Sequence, residues 1–259
     1  MADFTEADLR GSRFEDVDLG GAVFRQVTFA EARFFNVYFT GAVIRGAWLE
    51  DVEIDGELKG LTVNGVEVGP LVEAELDRRH PERVTLRATD ADGFREAWAV
   101  IERSWVPTVE RARRLPEPLL HERVEGEWSF IETLRHLVFC TDAWLRRAVL
   151  RDPSPYHPLG LPHDEMSAIP GVPWDRTARP SLEEMLAVRA DRMAGVREFM
   201  ARLTDDDVNG STEPVPEPGY PESRSYPVIR CLRAVVLEEW EHRLFAERDL
   251  AVLERNSAG

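Results

Sequence analysis

The stretch Leu237 to Leu250, LEEWEHRLFAERDL, sets a carboxylate (Glu238) and an imidazole (His242) four residues apart in a predicted helix. Residues at i and i+4 share a helical face, so both groups can address a single ion. Stepping along at the spacing of a buried stripe gives Cys231, Val235, Glu238, His242 and Phe245, whose other members are core types, so the pair is expected to face inward. An acid and an imidazole taken out of water need compensation, and a shared divalent cation supplies it. The competing reading is a neutral imidazole hydrogen-bonded to a core glutamate. On a second predicted helix His136 shares its face with Thr133, Cys140 and Ala143, small side chains that leave room beside an ion. Cys140 is a candidate soft ligand one turn from His136, although a free cysteine is more often plain core; Cys231 reads the same way.

Four long helices must position these groups. The first is predicted from about Asp92 to Leu115, with Phe94, Trp98, Ile101 and Trp105 at core spacing and Pro107 as a kink or interruption. The second opens at a capping box, Ser129 with Glu132, and carries His136 towards Leu150. The third opens at Ser181 with Glu184, and its stripe of Leu182, Met185, Arg189, Met193, Val196 and Met200 has one odd member. Arg189 either binds a substrate carboxylate bidentately or pairs with a core acid. The fourth, from about Pro227 to Glu254, holds Glu238 and His242, while Glu239 and Glu241 read as surface charge on its other faces. Such helices make a bundle. Between the second and third lies Asp152 to Pro180, with seven prolines, Tyr156, His157, His163 and Trp174. A connection that long reads as a lid over a pocket, with His157, His163 and Trp174 as candidate substrate-binding side chains. The acidic, proline-rich segment Thr204 to Tyr226 reads as a solvated loop, and His80 and His121 show no partner pattern.

The N-terminal region has a different period. Phe4, Leu9, Phe14, Leu19, Phe24, Phe29, Phe34, Phe39, Ile44, Leu49 and Ile54 recur every fifth residue, and Ala, Ser or Val stands two places before each. Neither helix nor strand repeats at five, so the chain must turn a corner in every unit. This pattern resembles the pentapeptide-repeat family. The resemblance implies a short right-handed quadrilateral β-helix with four repeats per turn, in which Phe4, Phe24 and Ile44 stack and Phe24, Phe29, Phe34 and Phe39 form one inward layer. After Ile54 the register slips to Leu58, Val63 and Val68, with Asn64-Gly65 as a hairpin turn expected to cap the coil. The expected organisation is multidomain: residues 1–69 a β-solenoid with its cap, 70–91 a charged linker, and 92–259 the helical bundle.

The motif WSFIETLRHL, containing Trp128 and His136, followed by EEWEH at Glu238 to His242, is similar to the DinB-like family of metal-binding four-helix bundles, which includes the YfiT-type proteins and thiol-dependent transferases. The resemblance implies a divalent metal, commonly zinc, nickel or iron, bound by one His of the second helix and an H-x-x-x-H pair of the fourth. His136 and His242 match two of those ligands. Glu238 stands where the family has the first His of the pair, which leaves two imidazoles and one carboxylate as donors. The family further implies a low-molecular-weight thiol such as mycothiol or bacillithiol as cosubstrate and a small-molecule substrate, hence a thiol-dependent S-transferase or isomerase. The alternative is a non-catalytic interaction or scaffold protein built on the repeats.

Composition narrows the partners. The 259 residues are 43% hydrophobic, enough for a packed core, and carry a formal net charge of −16. Nucleic acid and anionic membrane are disfavoured, because phosphate contacts need clustered cations and Lys59 is the sole lysine. Arginine in place of lysine suggests a GC-rich, bacterial genome. Two cysteines make no disulfide framework, no apolar run approaches the roughly 18 residues of a membrane span, and no leader precedes the repeats, so the expected location is the cytoplasm. Some long pentapeptide-repeat proteins mimic DNA, but residues 1–60 hold twelve acidic against six basic residues and fewer than three coils, too short for that role. A docking or homodimerisation module is expected instead.

Overall fold

The computed structural model describes residues 4–257 and divides between Glu57 and Leu58 into two compact units. In the first unit the five-residue pattern becomes a ten-residue backbone period. Turn bonds from the amides of Ser12, Ala22, Ala32 and Ala42 to the carbonyls of Leu9, Leu19, Phe29 and Phe39 alternate with left-handed residues at Glu6, Asp16, Gln26 and Asn36. The expected β-helix differs from what forms. Residues 4–57 contain no strand and no buried residue, and the ring contacts join successive repeats: Phe24, Phe29, Phe34 and Phe39 follow one another at 5.6–5.8 Å. These four rings are 50–59% exposed, so they are a row on a single layer and not the inward layer of a closed coil. A solenoid buries its repeats only where one coil stacks on another, and here no such second layer covers the row.

The second unit opens with a hairpin, β1 (Thr62–Val63) and β2 (Val66–Glu67), whose turn uses positive φ at Asn64 and Gly65. Helix α1 (Gly69–Arg79) and a 3-10 segment (Pro81–Arg87) follow. The hairpin was expected to cap the repeats and residues 70–91 to be a linker; both belong to the helical unit. The charges of that stretch pair among themselves, Arg83 with Glu73 at 2.8 Å and Arg87 with Asp77 at 2.7 Å, and Leu86 is buried beneath them.

Helix α2 (Ala91–Ala112) is capped by Asp90, which accepts from Gly93 N, and runs through Pro107 without ending. Helix α3 (Phe130–Thr141) starts at a complete capping box: Ser129 Oγ accepts from Glu132 N, and the Glu132 carboxylate accepts from Ser129 N. It continues as widened π turns over Asp142–Val149. Then come α4 (Leu182–Arg202), capped by Ser181, the short α5 (Asp205–Val208) and α6 (Val228–Ser257). Helix α6 packs on α2 and α3, and α4 packs on the same two, which gives the four-helix arrangement. Phe94, Ile101, Leu134, Met185, Val196, Leu232 and Trp240 are fully buried at its centre.

The buried face of α6 is Leu232, Val235, Val236, Glu239, Trp240, Arg243 and Ala246. Cys231 and Val235 of the stripe read in the sequence are buried as expected, but from Glu238 onward the buried face is turned by one residue. Glu239, expected on the surface, is 2% exposed, while the side chains of Glu238 and His242 keep 37% and 19% of their exposure at the margin of the core. The acidic loop before α6 also departs from the solvated loop expected. The buried Arg147 donates to the carbonyls of Val215 and Glu217, and Thr212 and Tyr226 are buried against each other, with Thr212 N donating to the Tyr226 carbonyl.

Candidate metal centre

His136 is fixed before any ion is considered. It sits in the second turn of α3, 5% exposed, and its Nδ1–H donates to the carbonyl of Leu161 at 3.0 Å. A carbonyl only accepts, so this bond selects the tautomer and leaves the Nε2 lone pair for the other side of the ring. That lone pair meets Glu238 Oε2 at 3.4 Å, and Glu238 Oε2 lies 3.1 Å from His242 Nε2. One ligand atom from each of the three residues falls within 4.8 Å of the others. A lone pair facing a carboxylate is favourable only with a cation between them, a proton or a metal ion. Bonds of about 2.1 Å would set adjacent donors roughly 3.0–3.4 Å apart, from octahedral to tetrahedral angles; the two spacings to Glu238 lie in that range, while the full 4.8 Å spread of the three atoms has to close slightly around a shared ion. Two neutral nitrogens and one anionic oxygen suit zinc, nickel or iron better than magnesium or calcium.

Aromatic rings wall the cluster. Trp128 lies stacked on His242 at 5.7 Å and tilted against His136 at 4.5 Å, and its Nε1–H donates to Asp164. His136 and His242 meet edge to face at 4.8 Å. Burial pulls the His136 imidazole below its ordinary pKa, partly offset by Glu238. Burial pushes the Glu238 carboxyl up, but the imidazoles of His136 and His242 beside it outweigh that and hold it well below the usual carboxylate range. The Cys140 thiol, pushed well up by burial and then by the carboxylates of Glu238 and Glu239, has its Sγ 3.1 Å from His136 Nε2. Tyr220 is raised by burial and then by Cys140 and Glu238, and its ring stacks on Phe139 at 5.9 Å, whose own ring lies 6.4 Å from that of His136.

The remaining candidates separate. Residues 152–180 form a strap and not a loose lid. The fully buried Arg135 donates to the carbonyls of Leu159, Asp175 and Ala178, and Leu161 N donates back to the Arg135 carbonyl. His163 meets Tyr220 edge to face at 5.4 Å. His157 is engaged elsewhere: its amide donates to Asp142 and its Nδ1 accepts from Leu159 N. Trp174 carries the Arg176 guanidinium on its face at 4.5 Å. Of the two roles open to Arg189, pairing with a core acid is the one formed. Its guanidinium donates to both oxygens of Glu239 at 3.0 and 2.8 Å, the pair is 4% and 2% exposed, and Trp105 covers it at 4.6 Å, so no substrate carboxylate has access to it. Arg135 and Tyr220 were missed. A charged residue in the apolar run FIETLRHL was a legible signal for Arg135, whereas a backbone carbonyl such as Leu161 leaves none.

A helical bundle with a His/carboxylate cluster between α3 and α6 is the class that fold and site define. The DinB superfamily profile matches residues 101–246, more than half of the chain, and the protein belongs to that superfamily, in which metal binding is typical. Pentapeptide repeats match at residues 2–41 and 18–53, in eight copies. No curated protein and no solved structure matches the chain. Among the described residues no helix is long and apolar enough to cross a membrane.

Proposed function

We propose that the helical unit is a divalent-metal-dependent enzyme that uses a low-molecular-weight thiol, mycothiol or bacillithiol in type, in S-transfer to or isomerisation of a small molecule. The observation that carries this is the meeting of His136, Glu238 and His242 within 4.8 Å. A zinc, nickel or iron ion held there supplies Lewis acidity and favours the ionised form of a thiol or water. The chain's own groups do the positioning. The Leu161 carbonyl orients His136, Trp128 shields both imidazoles from water, and Glu238, with 37% of its side chain exposed, marks the side on which a substrate enters. His163 and Tyr220 are the groups we assign to substrate contact.

The test is a cobalt- or nickel-loaded protein titrated with mycothiol, bacillithiol and cysteine while sulfur-to-metal charge-transfer absorption is followed. A saturable, pH-dependent change is expected. Glu238→Gln should lower the metal content and Glu238→His should restore it; if neither alters it, Glu238 is no ligand. Metal bound without any response to thiol ends the transferase reading. A second, non-catalytic role as an interaction module is favoured by the ring row of the repeat unit, where Leu9 to Ile44 are 43–71% exposed. Self-association is the occupant we assign to it. Sedimentation equilibrium of the full chain should then show a dimer that Phe29→Asp with Phe34→Asp converts to monomer, and a wild-type monomer at every concentration excludes it.

A further inference from the structure

We propose that Cys140 is a fourth protein donor to the ion held by His136, Glu238 and His242, so that this chain carries its own sulfur at the metal centre. The inference rests on the metal reading above; with four protein donors in place, an added thiol has to enter as a fifth donor or displace one of the four. Cys140 and His136 are one turn apart on α3 and share a face. Sγ lies 3.1 Å from His136 Nε2, which in turn lies 3.4 Å from Glu238 Oε2, so the sulfur sits against the cluster where its two helices meet. Cys140 is 6% exposed and His136 5%, so packing holds both in place. Because the ring proton of His136 is committed to Leu161, the sulfur, the Nε2 lone pair and the carboxylate oxygen converge with no second ring proton between them.

Distances agree with this. With bonds of about 2.1 Å to nitrogen and oxygen and about 2.3 Å to sulfur, neighbouring donors lie roughly 3.0–3.6 Å apart. The Sγ–Nε2, Nε2–Oε2 and Oε2–Nε2 spacings of 3.1, 3.4 and 3.1 Å all fall in that range. Charge agrees as well. Two neutral imidazoles, one carboxylate and one thiolate balance a divalent cation in a pocket where a residual charge would be costly. On binding, the S–H bond breaks heterolytically, the sulfur lone pair goes to the ion and the proton to buffer, with no change of oxidation state. A soft donor also selects zinc, cobalt, nickel or iron(II) over magnesium and calcium. The chain contains an internal control: Cys231 is fully buried among Ala148 and Tyr226 and touches no member of the cluster.

The experiment loads the full chain with cobalt(II), without added thiol, and records metal stoichiometry and the near-ultraviolet spectrum together. A thiolate-to-cobalt charge-transfer band is expected in the wild type and in Cys231→Ser, and its absence in Cys140→Ser and Cys140→Ala. Loss of an outer partner of a ligand already costs about 10–100-fold in metal affinity, so these two variants should lose at least about tenfold. Stoichiometric cobalt without the band in Cys231→Ser, where Cys140 is the sole cysteine, overturns the inference while leaving the metal reading intact, and needs no Cys140 variant to fold. Failure of the wild type to bind cobalt overturns both.

Discussion

The two units present equally regular apolar patterns, yet only one becomes a core. Every fifth residue of the repeat unit is apolar, and these side chains remain 43–71% exposed; in the helical unit Phe94, Trp98, Ile101 and Trp105 of α2 and Leu182, Met185, Val196 and Met200 of α4, at helical spacing, are 0–6% exposed. The difference lies in what faces the pattern. A period aligns side chains on one face, but removal from water requires a second surface, and the hydrophobic gain follows the area removed. Helices α2, α3, α4 and α6 supply such surfaces to one another. The repeats place each ring on the next one and stop there.

The largest effect expected in the helical unit comes from its buried charge. Arg189→Met leaves Glu239 unpaired in the core and should cost about 3–5 kcal/mol, whereas Arg189→Met with Glu239→Leu should recover most of that, as read by urea denaturation at 222 nm. Equal losses in the single and double variants would show that the pair holds nothing together. Leu134→Ala, at a fully buried site, should cost about 2–5 kcal/mol, and Phe34→Ala, at a ring 53% exposed, less than about 1 kcal/mol. Were the two losses alike, the repeat unit would be covered in solution and the contrast between the units would fall.

A smaller effect sharpens the electrostatic side. Burial pushes Glu132 up, but the Arg123 guanidinium and the Ser129 amide outweigh it, so its folded pKa lies below the ordinary 4.5. A depressed carboxylate contributes stability that is present above the unfolded pKa and is lost as pH falls through the folded one. Glu132→Gln should therefore flatten the decline in stability below about pH 4.5 and lower stability at pH 7. An unchanged acid limb in thermal melts from pH 3 to 7 would show that the capping box contributes nothing through its charge.

Local physics was legible in the chain. The capping box at Ser129, the N-cap at Ser181, the helices they open, the hairpin at Asn64-Gly65 and the i, i+4 spacing of Glu238 and His242 all follow from short-range sterics and hydrogen bonding, which sequence spacing encodes directly. What the sequence left open depended on facing partners. The core face of α6 is centred on Glu239 and Trp240 because Arg189 of α4 and the rings of α2 meet it there, and that rotation sets Glu238 and His242 at the margin beside His136 and Trp128. The imidazole of His136 is oriented by a carbonyl twenty-five residues away, and a backbone oxygen is the same in every residue. Whether a five-residue period closes into a coil is likewise settled by stacking between distant repeats, because its enthalpy and its burial come from contacts that no single repeat contains.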